Sequence, residues 1–331
     1  MKCIMCPSKL WKEEVKKEMK FEVFEELSKY FNHTKIVHLQ GWGEPLNHPR
    51  FFDMVEVAKE KCNVGLTTNG MFLNEKACKK IVELGVDYVA ISIAGATSKT
   101  HESIRKGTNF DKIMENVKEL LKLKNRPRII FTFLVNKLNI DELPDVVELT
   151  AKLGVDELVV TNLDYVFDEI TDKIKVFSCK KPEKKYVKII DHAKKVAKEK
   201  KVKLRTHPLQ LEDRVICDAI PTKSVTISVE GDMYPCIYLS LPFKKIPRIF
   251  CGNYFEIERP NFGNVFDFWK SWNGKEYVEF REKYERRVKE YNKIFDEAFI
   301  SPYSLQSKIR MVFEKNPIPE VCKTCYKAYG I

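Results

Sequence analysis

Two cysteines at the start of the chain limit its chemistry more than any other feature. Cys3 and Cys6 form a Cys-x-x-Cys arrangement, and Pro7 follows directly. That spacing lets both sulfurs face one metal centre from a short loop, and a pair of soft thiolates favours zinc or iron–sulfur over hard cations. A zinc site, a redox-active dithiol, an iron–sulfur site and two ordinary thiols all stay open on this spacing alone.

A glycine-rich turn with one acid is the second feature. Residues 39–46 read Leu-Gln-Gly-Trp-Gly-Glu-Pro-Leu and close an apolar strand. Together with the cysteines, this turn resembles the radical SAM superfamily, whose signature is Cys-x3-Cys-x2-Cys after the first barrel strand and a Gly-Gly-Glu-Pro type turn after the second. The matching residues are Cys3 and Cys6 for the second and third cysteines, and Gly43, Glu44 and Pro45 for the turn.

The first cysteine of that signature falls outside this chain. It would lie four residues before Cys3, and no apolar strand leads into the loop. Trp42 also stands where the family has a glycine or another small residue. Our hypothesis is that Met1 is an internal methionine of a longer protein. The competing hypothesis is a degenerate protein whose barrel never holds the cluster, and an in-frame upstream cysteine distinguishes the two.

Alternating strands and helices continue through the first two thirds of the chain. The apolar run Val64–Thr68 precedes the amphipathic segment Glu75–Leu84, which Asn74 can cap, and Gly85 and Gly154 can each end a helix in a left-handed conformation. Such units predict parallel strands with helical crossovers. The resemblance implies an α/β fold, a partial (βα)6 TIM-like barrel whose first strand is truncated; a doubly wound sheet is the alternative.

Four cysteines in the last third of the chain form a second group. Cys217 and Cys236 bracket Ser224–Pro235, which predicts a hairpin that turns at Gly231, and a second Cys-x-x-Cys pair lies near the C-terminus. The order of these elements resembles the SPASM or shorter twitch extension of radical SAM enzymes, which implies an auxiliary 4Fe–4S cluster. A four-cysteine zinc ribbon fits the spacing equally well. The ligands would be Cys217, Cys236, Cys322 and Cys325.

Length and composition fit two domains. The chain has 331 residues, of which 44% are hydrophobic, and we predict a partial barrel over residues 1–207 and a SPASM-like domain over residues 208–331. No apolar run reaches the roughly 18 residues that span a membrane, and no signal-peptide pattern opens the chain, so we predict a cytoplasmic location. Ten cysteines in such a chain favour metal ligands or buried thiols over disulfides.

Polar residues at the strand ends are candidate contacts to S-adenosylmethionine. Glu44 can accept a hydrogen bond from an ammonium group, and Gly43 lets the backbone approach closely. The resemblance implies this role for the turn and extends it to Asn69, Ser92 and Asn136, which follow or end the next three strands. Polar residues at strand ends are also common turn caps. No catalytic residue is assigned.

One further segment, Thr100–Arg105, matches a recurrent part of the family. A single sequence does not assign a role to its Arg105. His101 in the same segment is more typical of a surface or packing histidine than of a catalyst.

The resemblance implies an enzyme that reductively cleaves S-adenosylmethionine to a 5′-deoxyadenosyl radical for hydrogen abstraction. Its cofactors would be a radical SAM 4Fe–4S cluster, one of whose protein ligands is missing from this chain, an auxiliary 4Fe–4S cluster and S-adenosylmethionine. The whole chain resembles archaeal proteins that modify the cofactor of tungsten-containing aldehyde ferredoxin oxidoreductase.

That likeness implies maturation of a tungstopterin-type cofactor, a peptide or a protein. The expected partners are a cofactor precursor, peptide or protein substrate and a reduced ferredoxin or flavodoxin-like electron donor; neither a membrane nor a nucleic acid is expected. The alternative is a non-catalytic iron–sulfur or zinc-binding protein with a degenerate barrel site.

Overall fold

The computed structural model describes residues 2–11, 17–296 and 302–331. Contacts divide the chain into two compact units, Met1–Leu163 with Glu169–Leu209, and Asp164–Asp168 with Gln210–Ile331. The strands are β1 (Lys2–Cys3), β2 (Ile36–Leu39), β3 (Asn63–Thr68), β4 (Tyr88–Ile93), β5 (Arg105–Lys106), β6 (Arg128–Val135), β7 (Glu157–Asn162), β8 (Leu204–Thr206), β9 (Thr226–Ile227), β10 (Met233–Tyr234), β11 (Lys245–Phe250) and β12 (Asn253–Glu258). The helices are α1 (Phe21–Ser28), α2 (Phe51–Lys59), α3 (Glu75–Glu83), α4 (Ser98–Ile104), α5 (Phe110–Lys122), α6 (Leu143–Leu153), α7 (Glu169–Ile174), α8 (Lys184–Glu199), α9 (Phe268–Trp272), α10 (Lys275–Lys293) and α11 (Pro302–Lys315).

Six parallel strands form the main sheet of the first unit, in the order β2-β3-β4-β6-β7-β8. Helices connect the consecutive strands, as parallel pairing requires. This confirms the predicted α/β class with a partial (βα)6 TIM-like barrel. The sixth described strand, β8, pairs parallel with β7.

The two faces of this sheet differ in polarity because side chains alternate along each strand. In β4, Val89, Ile91 and Ile93 are fully buried. Tyr88 and Ser92 point to the opposite face and are only partly buried. The apolar face therefore carries the core beneath the helices, and the opposite face is free to present polar groups.

A histidine–tyrosine pair that the sequence analysis missed lies on the polar face. His38 Nδ1 hydrogen-bonds to Tyr88 Oη, while His38 Nε2 lies 2.7 Å from Gln40 Oε1 and 2.9 Å from Thr67 Oγ1. Because Gln40 Oε1 only accepts, Nε2 carries the proton and Nδ1 accepts from the tyrosine hydroxyl. Burial lowers the pKa of His38, which keeps the ring neutral. Gly65 makes room for the pair, since a Cβ there would come within 2.1 Å of the Tyr88 ring.

The predicted helix ends are confirmed. Asn74 Oδ1 accepts a hydrogen bond from Ala77 N at 3.0 Å at the start of α3. Gly85 and Gly154 have φ angles of 65° and 75°, the left-handed region that residues with a Cβ adopt at a cost. These local signals begin or end helices at the points where the chain turns back toward the sheet.

The second unit consists of two short hairpins and a set of helices. The predicted hairpin forms between β9 and β10, with Met233 opposite Ile227, and Gly231 has a φ of 88° in its turn. β11 and β12 form a second antiparallel pair. The helix α10 buries Tyr277, Phe280 and Tyr284 on one face. Among the described helices, none combines the length and apolar character needed to cross a membrane.

The contact between Gly65 and Tyr88 predicts the effect of a single added methyl group. Gly65→Ala should destabilise the protein by about 1–3 kcal/mol, because the new Cβ overlaps the tyrosine ring. The measurement is the midpoint of urea unfolding. In the double variant Gly65→Ala/Tyr88→Ala the ring is gone, so the combined loss should be smaller than the sum of the two single losses. Simple additivity would contradict the assigned contact.

Candidate functional site

The loop that carries the first two cysteines is held by a short antiparallel pairing. Cys3 lies opposite Arg105 in the β1–β5 pair, and Ile4 N donates to Ile104 O at 3.1 Å. The chain then turns tightly, with Cys6 N donating to Cys3 O at 3.2 Å. Both thiols are free, and Cys6 Sγ lies 2.9 Å from Ser8 Oγ. The pairing thus fixes the loop beside the C-terminal end of α4.

Arg105 brings a positive charge to this loop. Its side chain hydrogen-bonds to Cys3 and interacts electrostatically with Cys6 and Glu44, and its Nε is buried with no hydrogen-bond partner in the described part of the chain. Burial raises the pKa of Cys3, and the guanidinium opposes that rise. A cation beside two thiols favours their thiolate forms, which are the forms that ligate iron.

Glu44 lies at the carboxyl ends of two strands. Its Oε1 accepts from Thr68 Oγ1 at 2.7 Å and from Leu46 N at 3.2 Å, and its Oε2 accepts from Asn69 N at 2.7 Å. Burial raises the pKa of Glu44, although these hydrogen bonds and Arg105 act in the opposite direction. The carboxylate is therefore fixed in orientation and partly desolvated, as expected of a group that binds a cation.

The space beside this turn is open at Gly43. A Cβ built on Gly43 would meet no atom within 4 Å, and the residue is exposed. The backbone of the turn is thus accessible to a ligand that approaches Glu44.

The three predicted rim residues behave differently. Ser92 is partly buried on the polar face of the sheet, and Thr132 Oγ1 lies 3.3 Å from its Oγ. Asn69 Oδ1 accepts from Met71 N at 2.8 Å, so it caps the turn after β3. Asn136 is fully buried. Its Oδ1 accepts from Leu138 N and its Nδ2 donates to Leu134 O, so a ligand would have to displace turn hydrogen bonds to reach it.

His101 is a packing residue in this structure, as its sequence context indicated. It is fully buried, its Nδ1 accepts from Ala94 N at 3.2 Å, and its ring lies 5.0 Å from that of Phe110. Burial lowers the pKa of His101 to about 3. The imidazole is therefore neutral at physiological pH.

The four C-terminal thiols come together in the second unit. Cys217, Cys236, Cys322 and Cys325 are free and lie within electrostatic range of one another. Burial, followed by the neighbouring thiols, raises the pKa of Cys236 to about 12, and burial raises that of Cys217 to about 11. Among the described His, Cys, Asp and Glu side chains, no three meet at the spacing of a single bound metal ion.

The surroundings of these thiols fit an iron–sulfur cluster. The hydroxyl group of Thr324, which stands between the last two cysteines, is buried without a hydrogen-bond partner in the described chain. The hydroxyl group of Tyr284 is buried against the thiols of Cys322 and Cys217, with which it makes weak hydrogen bonds. Buried donors of this kind are costly unless an acceptor is present. Cluster sulfurs and thiolates are such acceptors.

A partly buried ion pair lies beside the same thiols. Asp164 Oδ1 accepts from Tyr238 Oη at 2.7 Å, and its Oδ2 accepts from Lys327 Nζ at 3.0 Å. Asp164 raises the pKa of Lys327, which also interacts with Cys325. Asp164 and Lys327 are 163 residues apart in the chain. Because no local pattern links them, the sequence analysis missed this group.

Two family models match the chain. The radical SAM superfamily model matches residues 1–150, and the SPASM model, an iron–sulfur cluster-binding domain, matches residues 217–294. Residues 1–150 thus belong to the radical SAM superfamily. The radical SAM domain uses a 4Fe–4S cluster and S-adenosylmethionine, and the SPASM domain binds auxiliary iron–sulfur.

Named relatives extend this result. This chain is 28% identical over 303 residues to the tungsten-containing aldehyde ferredoxin oxidoreductase cofactor-modifying protein of Pyrococcus furiosus. The match covers 85% of this chain and 80% of that protein. It is 33% identical over 124 residues to the AdoMet-dependent heme synthase of Methanosarcina barkeri. That match covers 36% of this chain and 34% of the heme synthase.

Solved structures show the same fold. Native anSMEcpe with bound AdoMet matches with a TM-score of 0.61 and 16% identity, over 95% of this chain and 92% of that one. SuiB of Streptococcus suis bound to S-adenosylmethionine matches with a TM-score of 0.57 and 15% identity, over 78% of this chain. The match spans 60% of the SuiB chain.

The hydrogen bonds to Glu44 predict how S-adenosylmethionine binding depends on pH. Glu44→Gln should weaken binding by about tenfold to a hundredfold, since a hydrogen bond to a charged group contributes about 1.5–3 kcal/mol. In the unaltered protein, binding should fall as acid protonates Glu44, whose pKa burial has raised. Thr68→Val removes a bond that lowers this pKa, so the fall should move to higher pH. Calorimetric titration across pH measures both effects.

The matched control for that titration is Thr150→Val, which removes a buried hydroxyl from α6 that bonds only to Val146 O. It should leave the pH profile in place. An unchanged profile in Thr68→Val would contradict the assigned role of the Glu44 hydrogen bonds.

The four C-terminal thiols predict the metal content. After anaerobic reconstitution, Cys322→Ala should lower bound iron and sulfide by about one 4Fe–4S cluster per chain, because one of four thiolate ligands is lost. Cys62→Ala removes a half-buried thiol outside the group of four, which donates to Ala58 O, and should leave iron unchanged. Iron, sulfide and zinc analysis of the three proteins measures this. Zinc without sulfide in the unaltered protein would contradict the prediction.

Proposed function

We propose that this chain is a radical SAM enzyme that cleaves S-adenosylmethionine reductively to modify a cofactor precursor, a peptide or a protein. The observation that carries the proposal is the arrangement around Glu44. Its carboxylate is held by Thr68 and Asn69, and Arg105 interacts both with it and with the two thiols of the cluster loop. One edge of the sheet thus gathers thiols, a cation and an oriented carboxylate.

In this proposal each residue has a binding role. Cys3 and Cys6 ligate the cluster together with a third cysteine expected upstream. Glu44 accepts from the ammonium group of S-adenosylmethionine, Gly43 gives the ligand access to the backbone, and Ser92 presents a hydroxyl on the polar face of the sheet. When bound, the reduced cluster and S-adenosylmethionine supply a 5′-deoxyadenosyl radical that abstracts a hydrogen atom from the substrate.

Asn69 and Asn136 have weaker support as cofactor contacts. Asn69 offers its side-chain nitrogen, because its Oδ1 already caps the turn. Asn136 uses both ends of its amide within the next loop, so we propose that it shapes the rim rather than touching S-adenosylmethionine.

The class of substrate is supported by the relatives. The Pyrococcus furiosus relative is named for modifying a cofactor, and SuiB is also known bound to its precursor peptide SuiA. We therefore propose a tungstopterin-type cofactor precursor first, and a peptide or protein second. A reduced ferredoxin or flavodoxin-like protein is the proposed electron donor.

The second candidate function is a non-catalytic metal-binding protein. It is supported by the four C-terminal thiols, which lie within electrostatic range of one another and could hold iron or zinc without any radical chemistry.

Release of 5′-deoxyadenosine distinguishes the two functions. The assay uses reconstituted protein, S-adenosylmethionine and a strong reductant, with this chain and a form extended upstream to the expected cysteine. The extended form should release 5′-deoxyadenosine, and its Cys6→Ala variant should release only background. Iron content is measured on every sample, so that a missing cluster is not mistaken for an inactive one. No release from an extended form that carries iron at both sites would refute the proposed enzyme and leave the metal-binding alternative.

A further inference from the structure

Tyr284 is a buried polar residue for which the proposed function has no use. It lies on α10, is 1% exposed, and packs its ring 5.9 Å from that of Phe280. This packing fixes the direction of the phenol. The position of α10 therefore sets the direction of the hydroxyl, which has little freedom to turn toward solvent.

The hydroxyl of Tyr284 points at the four-thiol site. It makes weak hydrogen bonds with the thiols of Cys322 and Cys217, although within the described residues no atom meets it with full hydrogen-bond geometry. A thiol is a weak acceptor, whereas a metal-bound thiolate carries charge and accepts strongly. Binding of a cluster would thus convert a thiol that this hydroxyl already contacts into a strong acceptor.

We propose that Tyr284 is a positioning residue of the auxiliary cluster, whose phenol donates a hydrogen bond to the ligating sulfur of Cys322 and raises the reduction potential of that cluster. The proposal rests on the iron–sulfur assignment of the SPASM domain and not on cleavage of S-adenosylmethionine. The two can therefore fail separately.

The sign of the effect follows from charge. One-electron reduction adds a negative charge to the cluster and its thiolates, so a donor stabilises the reduced state more than the oxidised state. Tyr284→Phe keeps the ring and removes the donor, which should lower the midpoint potential. A tenfold fall in the ratio of reduced to oxidised cluster at a fixed potential corresponds to 59 mV for a one-electron couple, and we expect a shift of about that size.

Tyr277 provides a matched control on the same helix. Its hydroxyl is also buried without a hydrogen-bond partner in the described chain, and it interacts electrostatically with Cys236 and Arg281. Tyr277→Phe removes an equivalent group that makes no hydrogen bond to a thiol. It should shift the midpoint potential by only a small fraction of the shift expected for Tyr284→Phe.

A spectroscopic measurement detects the hydrogen bond directly. After exchange into D₂O, pulsed EPR of the reduced auxiliary cluster should show a strongly coupled deuteron in the unaltered protein. The deuteron should be absent in Tyr284→Phe and present in Tyr277→Phe. A role in packing alone would not produce this signal.

The experiment combines a dye-mediated redox titration of the reconstituted full chain and its two variants with pulsed EPR of the deuterated samples. A lower potential and a lost deuteron in Tyr284→Phe alone support the proposal. Equal shifts in both variants, no coupled deuteron in the unaltered protein, or zinc in place of iron would each overturn it. A normal auxiliary cluster in an extended form that carries iron at both sites but does not cleave S-adenosylmethionine would refute the proposed function and leave this inference standing.

Discussion

Parallel hydrogen bonding of β2, β3, β4, β6, β7 and β8 is the constraint on which the candidate site depends. Parallel strands end at the same edge, so turns that are far apart in sequence meet there. Glu44 follows β2, and its carboxylate is bound by Thr68 and Asn69 at the end of β3. A shift of one residue in that register would turn the alternate face of β3 toward the site.

The cluster loop pairs with β5 in a separate two-stranded sheet, in which Cys3 lies opposite Arg105. The guanidinium of Arg105 then interacts with Cys3, Cys6 and Glu44. The same backbone pairing therefore positions the thiols and supplies the charge that stabilises their ionised form. In the second unit, burial raises the pKa of Cys217 and of Cys236, and Lys327 opposes that rise at Cys217. A metal that binds there displaces the thiol protons.

Local signals in the sequence were sufficient for much of this structure. Helix caps such as Asn74, the turn at Gly231 and the turn at Glu44 depend on neighbours a few residues away, and a single sequence contains those neighbours. Contacts between distant segments were not predictable. Arg105 could be noticed in the sequence, but its partner Cys3 is far away in the chain. His38 and Tyr88 are 50 residues apart, and only the sheet register joins them. The alternation of His38 and Gln40 along one strand was the available signal.

Strand β8 shows which part of the sheet a local pattern does not specify. It has three residues, too few for a periodic pattern, and its pairing with β7 is a tertiary contact. Asn136 shows the limit of residue type as a guide. An asparagine after a strand is as suitable for a turn as for a ligand, and here the turn uses its amide.

The most direct test of the central claim is the EPR spectrum of the reduced, reconstituted protein before and after S-adenosylmethionine is added. The form that carries the expected upstream cysteine should show two cluster signals. One should change when S-adenosylmethionine binds next to Glu44, and the other, from the four-thiol site, should not. A spectrum with iron at both sites in which neither signal responds to S-adenosylmethionine would contradict the account.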